Sequence, residues 1–108
     1  MFKKRVLFIG EASCLKTGFS QYYHYLLSKL HSSGKIDLAE LGSYISKNDR
    51  RAASIPWRFY GNMPDIISET SDGYLFDKDQ YEAYQANYKL NQFGKWRFDK
   101  VIAVFRPD

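Results

Sequence analysis

The hydrophobic and polar positions along the chain divide it into recognisable elements. Lys4 to Gly10 (KRVLFIG) is a short apolar run bounded by charge and glycine, the form of a parallel strand buried on both faces. From Phe19 onward, Phe19, Tyr22, Tyr23, Leu26, Leu27 and Leu30 recur at helical spacing along one face. Thr17 or Ser20 is placed to cap that helix by accepting a backbone N–H bond, and Gly34 supplies a left-handed residue after its end. Ile36 to Tyr44 has a mixed pattern that reads as a second strand ending near Gly42. Ile55 to Tyr60 reads as a third, with Pro56 tolerable only at its start and its direction left open by a connection of roughly a dozen residues, near the minimum for a parallel crossover.

Residues 62–77 mix Pro64, Gly73 and several acids and read as irregular, with one helical turn around 65–69. Asp79 and Glu82 are spaced as a capping box opening a helix whose buried stripe includes Tyr81, Ala83, Tyr84, Ala86 and Tyr88, and Gly94 ends it. Val101 to Phe105 (VIAVF) is again a continuous apolar run and reads as the last strand, stopped by Arg106, Pro107 and Asp108.

Strand, helix, strand, strand, helix, strand is half of a doubly wound sheet, so the expected fold is α/β, Rossmann-like and mainly parallel with strand order 3-2-1-4. In that order the first and last strands lie side by side at a topological switch point. The loop 11–18 and the terminal residues 106–108 would then wall the crevice in which such sheets bind ligands.

Size and composition fit this reading. A chain of 108 residues makes one small domain, and 44% hydrophobic with 26% charged residues is the balance of a globular protein, with a high aromatic share of 18%. The lone Cys14 excludes an internal disulfide and a cysteine-built zinc site, and the apolar run at Val6 to Ile9 is too short for a signal-peptide core or a membrane span. The expected location is cytoplasmic. The net charge of +4 gathers locally only at Lys47, Arg50, Arg51 and Arg58, followed by the aromatics Trp57, Phe59 and Tyr60. That is the composition of a single-stranded nucleic-acid binder, although a solvated loop leading into a strand is favoured over it.

Thr17, Gly18, Phe19 and Ser20, directly ahead of the helix QYYHYLLSKL, resemble the opening of GT-B glycosyltransferases, particularly those like family 4. There a strand, a glycine-containing loop and a helix of the form G-[FY]-[SG]-x-x-x-x-x-L begin the N-terminal domain. Residues 91–108 (NQFGKWRFDKVIAVFRPD) are similar to the segment of those enzymes in which a helix ends and a strand leads to an Arg-Pro-Asp or similar turn. The resemblance implies a transferase that moves a sugar from a nucleotide-sugar donor to an acceptor held between two Rossmann-like domains. It implies that this chain is an incomplete N-terminal, acceptor-side segment, inactive by itself, with the donor-gripping acids on a second domain. The expected substrate-binding set is Glu11, Thr17, Gly18, Phe19, Ser20, Arg106 and Asp108, with catalytic residues unassigned.

Each of these residues also has a plainer reading. Gly18 either lets backbone N–H groups approach a ligand at a helix N-terminus or merely permits a tight turn. Glu11 and Asp108 are either a facing acid and base or ordinary loop acids. Arg106 either pairs with a phosphate or carboxylate or is a surface cation. Cys14 has no basic partner that would make it reactive, and His24 and His31 lack a third ligand, so no metal and no cofactor are expected. The fingerprints G-x-G-x-x-G and G-x-x-x-x-G-K-[ST] do not occur, which removes the main support for redox-cofactor and ATPase readings. The alternative function is a stand-alone Rossmann-like binding or interaction module, with nucleic acid as a candidate ligand. An uncovered last strand with Val101, Ile102, Val104 and Phe105 exposed would be a route to self-association.

Overall fold

The computed structural model describes residues 3–70 and 73–108. Three strands, β1 (Lys4–Glu11), β2 (Ile36–Ser46) and β3 (Arg58–Met63), form one parallel sheet in the order β1-β2-β3. The third strand, whose direction the sequence leaves open, is therefore parallel. Helix α1 (Gly18–Ser32) connects β1 to β2, and the single 3₁₀ turn Arg50–Ser54 lies between β2 and β3. The result is an α/β fold built on a three-stranded parallel sheet.

Burial explains the mixed pattern of β2, the expected second strand, which runs on past Gly42 to Ser46. It is the central strand, and every residue from Leu38 to Ser43 is inside, although the segment includes Glu40. Leu38 faces α1, where Leu27 and Trp57 join it with Phe8, Leu30, Ile36 and Ile55 packed alongside. Ala39 and Leu41 face the other way and pack on Val101 and Phe105.

Those last two residues belong to a helix. The expected fourth strand is not there, and the order 3-2-1-4 is not found: Val101 to Phe105 is the end of α4 (Trp96–Phe105). A five-residue apolar run is compatible with either structure. Here the spacing of four between Val101 and Phe105 puts both on the sheet-facing side, while Val104 points outward with 69% exposure. The anticipated association through an apolar last strand therefore loses its basis. Arg5 fixes the end of α4 by donating its Nε–H to the Phe105 carbonyl at 2.8 Å and lying 4.4 Å over the Phe105 ring.

Residues 66–76 also depart from expectation. Ile66–Thr70 (β4) and Gly73–Phe76 (β5) pair as antiparallel strands, where a loop with a helical turn was expected. Helix α2 (Lys78–Ala86) starts two residues earlier than the Asp79–Glu82 box predicts, because Asp77 is its cap and accepts the Gln80 N–H at 2.9 Å. Of the expected stripe only Tyr84 is buried; Tyr81 and Tyr88 are exposed. A short turn α3 (Tyr88–Leu90) and the segment Asn91–Lys95 lead into α4, and Gly94, at φ +111°, makes the break.

Two buried polar side chains tie these parts together. Asn62, fully buried in β3, donates to the Asn91 carbonyl and accepts the Arg97 backbone N–H at 3.2 Å, which docks the start of α4 on the sheet. Glu40, 0% exposed, accepts from the Ser13 N–H at 2.7 Å, the Ser13 hydroxyl at 2.6 Å and the Trp57 indole N–H at 3.0 Å.

Replacing Glu40 by Leu strips the acceptor from three donors in a dry site, so Glu40→Leu should lower unfolding free energy by about 3 kcal/mol or more. Chemical denaturation followed by circular dichroism measures it, and a loss under about 1 kcal/mol would show the network to be dispensable. Gly61→Ala is expected to be at least as damaging, because an added Cβ would lie 2.2 Å from the Lys47 nitrogen and 2.4 Å from the Ser46 carbonyl carbon, both backbone atoms.

Candidate functional site

The carboxyl ends of β1 and β2 open onto a cavity of about 400 Å³. Ile9, Gly10 and Glu11 of β1 form one wall, and Ser43 and Tyr44 of β2 form the floor. Phe19 and Tyr23 of α1 and Phe93 of the segment before α4 close the sides. This is the position at which open parallel sheets bind ligands, because loops and helix N-termini converge there.

Local structure explains how these side chains are presented. Thr17 is the N-cap of α1 and accepts the Ser20 N–H at 3.1 Å. Its hydroxyl lies 2.8 Å from Ser20 Oγ and 3.2 Å from Glu11 Oε2, which links the cap to the end of β1. Ser20 is wholly buried and turns α1 so that Tyr23 and Leu27 face the sheet. Phe19 and Tyr22, expected on the buried stripe, face outward at 70% and 62% exposure. Gly18 is neither at positive φ nor crowded, since a Cβ built on it meets nothing within 4 Å. The tight-turn reading of that glycine thus has no steric basis here, and open space lies beside the first turn of α1.

Tyr44 is the least ordinary residue of the cavity. Its φ is +68°, a left-handed conformation that an aromatic residue seldom adopts, and it sits where the pairing of β2 with β3 slips between Gly42 and Ser46. The hydroxyl donates to Gln92 Oε1 at 3.2 Å, which holds the ring across the cavity floor. Burial first, and then the neighbouring Tyr88 and Glu11, push its phenol above the usual range. Tyr44 is therefore a neutral hydrogen-bonding group at any ordinary pH. Nothing in the sequence pattern marks it, because the bulge that turns it depends on the backbone of Ser46 and Lys47 crossing Gly61.

The expected site residues are thus only partly brought together. Glu11 and Phe19 line the cavity, whereas Thr17, Gly18 and Ser20 do not line it, although Thr17 is hydrogen-bonded to Glu11 and to Ser20. Arg106 and Asp108 lie at the opposite end of β1: the Asp108 N–H donates to the Arg5 carbonyl at 2.9 Å, and Asp108 Oδ2 accepts the Arg5 N–H at 2.8 Å. Arg5 and Glu11 stand six strand positions apart, about 20 Å. A facing acid and base built from Glu11 and Asp108 is therefore excluded by geometry. Arg106, at φ +54°, is the C-cap of α4 and not a crevice wall.

The basic cluster is largely occupied. Arg51 pairs in a fork with buried Asp49, Arg50 meets Glu69 at 2.9 Å, and Arg58 lies 3.8 Å from Asp37. Trp57 is buried against Glu40 between His24 and His31, so it offers no face for a base to stack on. Among the described residues no group of three or more His, Cys, Asp or Glu is gathered to hold a metal ion, and no helix is long and apolar enough to cross a membrane. No protein-family model, curated protein or solved structure matches the chain.

Cys14 lines a second cavity with Ser13, Gln21, His24 and Arg51. Burial, followed by the Glu40 carboxylate, pushes its thiol up to about 11. The fold thus favours the neutral thiol. Stability from this source is complete below the unfolded thiol's pKa and is lost as pH rises from there through about 11. Alkylation by iodoacetamide should keep accelerating about tenfold per pH unit from pH 8 to pH 10, where an ordinary cysteine levels off. A plateau by pH 9 would contradict the raised thiol pKa of this half-buried cysteine.

Proposed function

We propose that this chain is the N-terminal, acceptor-side part of a GT-B glycosyltransferase, moving a sugar from a nucleotide-sugar donor to an acceptor bound at the ends of β1 and β2. The observation that carries the reading is the cavity itself. One carboxylate, Glu11, two hydroxyls, Ser43 and Tyr44, and the aromatic rings of Phe19, Tyr23 and Phe93 converge on a space of about 400 Å³. Carboxylate and hydroxyl oxygens suit the hydroxyls of a sugar, and aromatic faces suit its C–H surfaces, while the open N-terminus of α1 adds backbone donors. The family likeness of residues 17–20 and the α/β half-domain agree with this assignment.

In this reading Glu11 accepts a hydroxyl of the acceptor and orients it, and Thr17 holds the carboxylate in place. The aromatic rim orders the sugar ring against β1. Nothing in the cavity supplies a group to grip the donor nucleotide, which is the work expected of a partner domain. Sugar transfer requires donor and acceptor to be held together in a reactive arrangement, so this chain alone binds without turning over.

Titration of the isotopically labelled chain with a panel of simple glycosides should shift the amide signals of Gly10, Glu11, Gly18 and Ser43. Glu11→Gln and Phe19→Ala should each weaken that binding by about threefold to tenfold, the loss of one hydrogen bond or one ring contact. Two results would overturn the reading: no shift at these amides with any glycoside at millimolar concentration, or turnover of nucleotide sugars by this chain at ordinary enzyme rates.

A further inference from the structure

A different cavity lies between β3 and α4, on the sheet face away from α1. It holds about 210 Å³ and is lined by Lys47, Tyr60, Gly61, Arg97, Lys100, Val101 and Val104. Three of these seven residues are cationic and none is acidic. Arg97 and Lys100 are one turn apart at the start of α4, whose N-terminal end adds positive potential to the space. Lys47 comes from a separate element, the chain leaving β2, and its position is fixed by the backbone crossing at Gly61.

The cations differ in how far they are already neutralised. Arg97 donates through one terminal nitrogen to Asp65 at 3.0 Å and to Gln80 at 3.3 Å, while its Nε is buried and has no hydrogen-bond partner among the described residues. Lys47 and Lys100 are exposed, and among the described residues neither has a carboxylate within ion-pair distance. Like charges converging on one space repel, and an anion between them removes that repulsion. The remaining walls are apolar or aromatic: Tyr60, Val101 and an outward-facing Val104. A small inorganic ion would leave those side chains without a partner.

We propose that the cavity between β3 and α4 is a binding site for a phosphate monoester carried on an apolar or aromatic body, the phosphate held by Lys47 and Lys100 beside Arg97 and the body resting on Tyr60 and Val104. The site shares no lining residue with the cavity that carries the transferase reading, so it stands or falls independently of it.

Phenyl phosphate and inorganic phosphate are the probes, followed by amide chemical shifts and by calorimetry at low ionic strength. Phenyl phosphate should shift Gly61, Lys100, Val101 and Val104, leave Glu11 and Gly18 unmoved, and bind several-fold more tightly than inorganic phosphate. Lys47→Gln combined with Lys100→Gln should weaken it by about tenfold or more, and Lys47→Arg with Lys100→Arg should restore most of the binding. Both lysines are exposed, so these variants keep the fold, and Arg50→Gln serves as a surface-charge control with unchanged affinity. The proposal is overturned if the shifts fall elsewhere, if the double glutamine variant binds as the parent does, or if inorganic phosphate binds as tightly as the phenyl ester.

Discussion

A carboxylate in the middle of a dry sheet dictates much of this molecule. Glu40 is fully buried, and an unpaired carboxylate in such surroundings is strongly disfavoured. Its oxygens are met by donors from two places distant in sequence, the Ser13 loop after β1 and Trp57 ahead of β3. The three strands can therefore assemble only in an arrangement that brings both of those segments over the middle of β2. Hydrophobic burial alone would tolerate several ways of laying α1 and the β2–β3 connection on the sheet. The carboxylate selects one of them, and thereby places the loop that feeds α1 at the mouth of the cavity.

The elements that were legible in the sequence are those whose signals are local. β1 is a bounded apolar run, and α1 has both a cap and a left-handed stop, Thr17 and Gly34, that the structure uses. What could not be read was decided by tertiary contacts. VIAVF is apolar at every position, so the choice between strand and helix rests on what lies opposite: Ala39 and Leu41, whose surface receives two side chains spaced four apart. The pairing of β4 and β5 was obscured because the acids and Pro64 within residues 62–77 interrupt the apolar positions Ile66, Ile67, Tyr74, Leu75 and Phe76.

The same distinction runs through the candidate site. Residues 11–20 were legible because strand, loop and helix follow one another in the chain, so their meeting at one point depends on short-range geometry. Arg106 and Asp108 were misplaced because their position depended on the identity of the last element: a helix running back across the sheet delivers them to the start of β1, not to its end. Tyr44 and Phe93 reach the cavity through a slipped register and a glycine break, neither of which leaves a periodic trace. The cavity beside α4 was hidden for the same reason, since Lys47 and Lys100 are far apart in sequence and line one space only because Gly61 admits the chain leaving β2.

The placement of the two tryptophans gives the protein separate optical reporters for its two faces. Trp57 is inside the layer formed by α1, with its indole N–H on a carboxylate, whereas Trp96 stands at the start of α4 in the opposite layer, edge-on to Tyr84 and with its N–H unpartnered. Their emission spectra should differ in the folded state, because one indole N–H is hydrogen-bonded to the Glu40 side chain and the other has no hydrogen-bond partner among the described residues. Replacing either tryptophan by phenylalanine isolates the other's signal. Loosening of one helical layer can then be watched without unfolding the sheet between them.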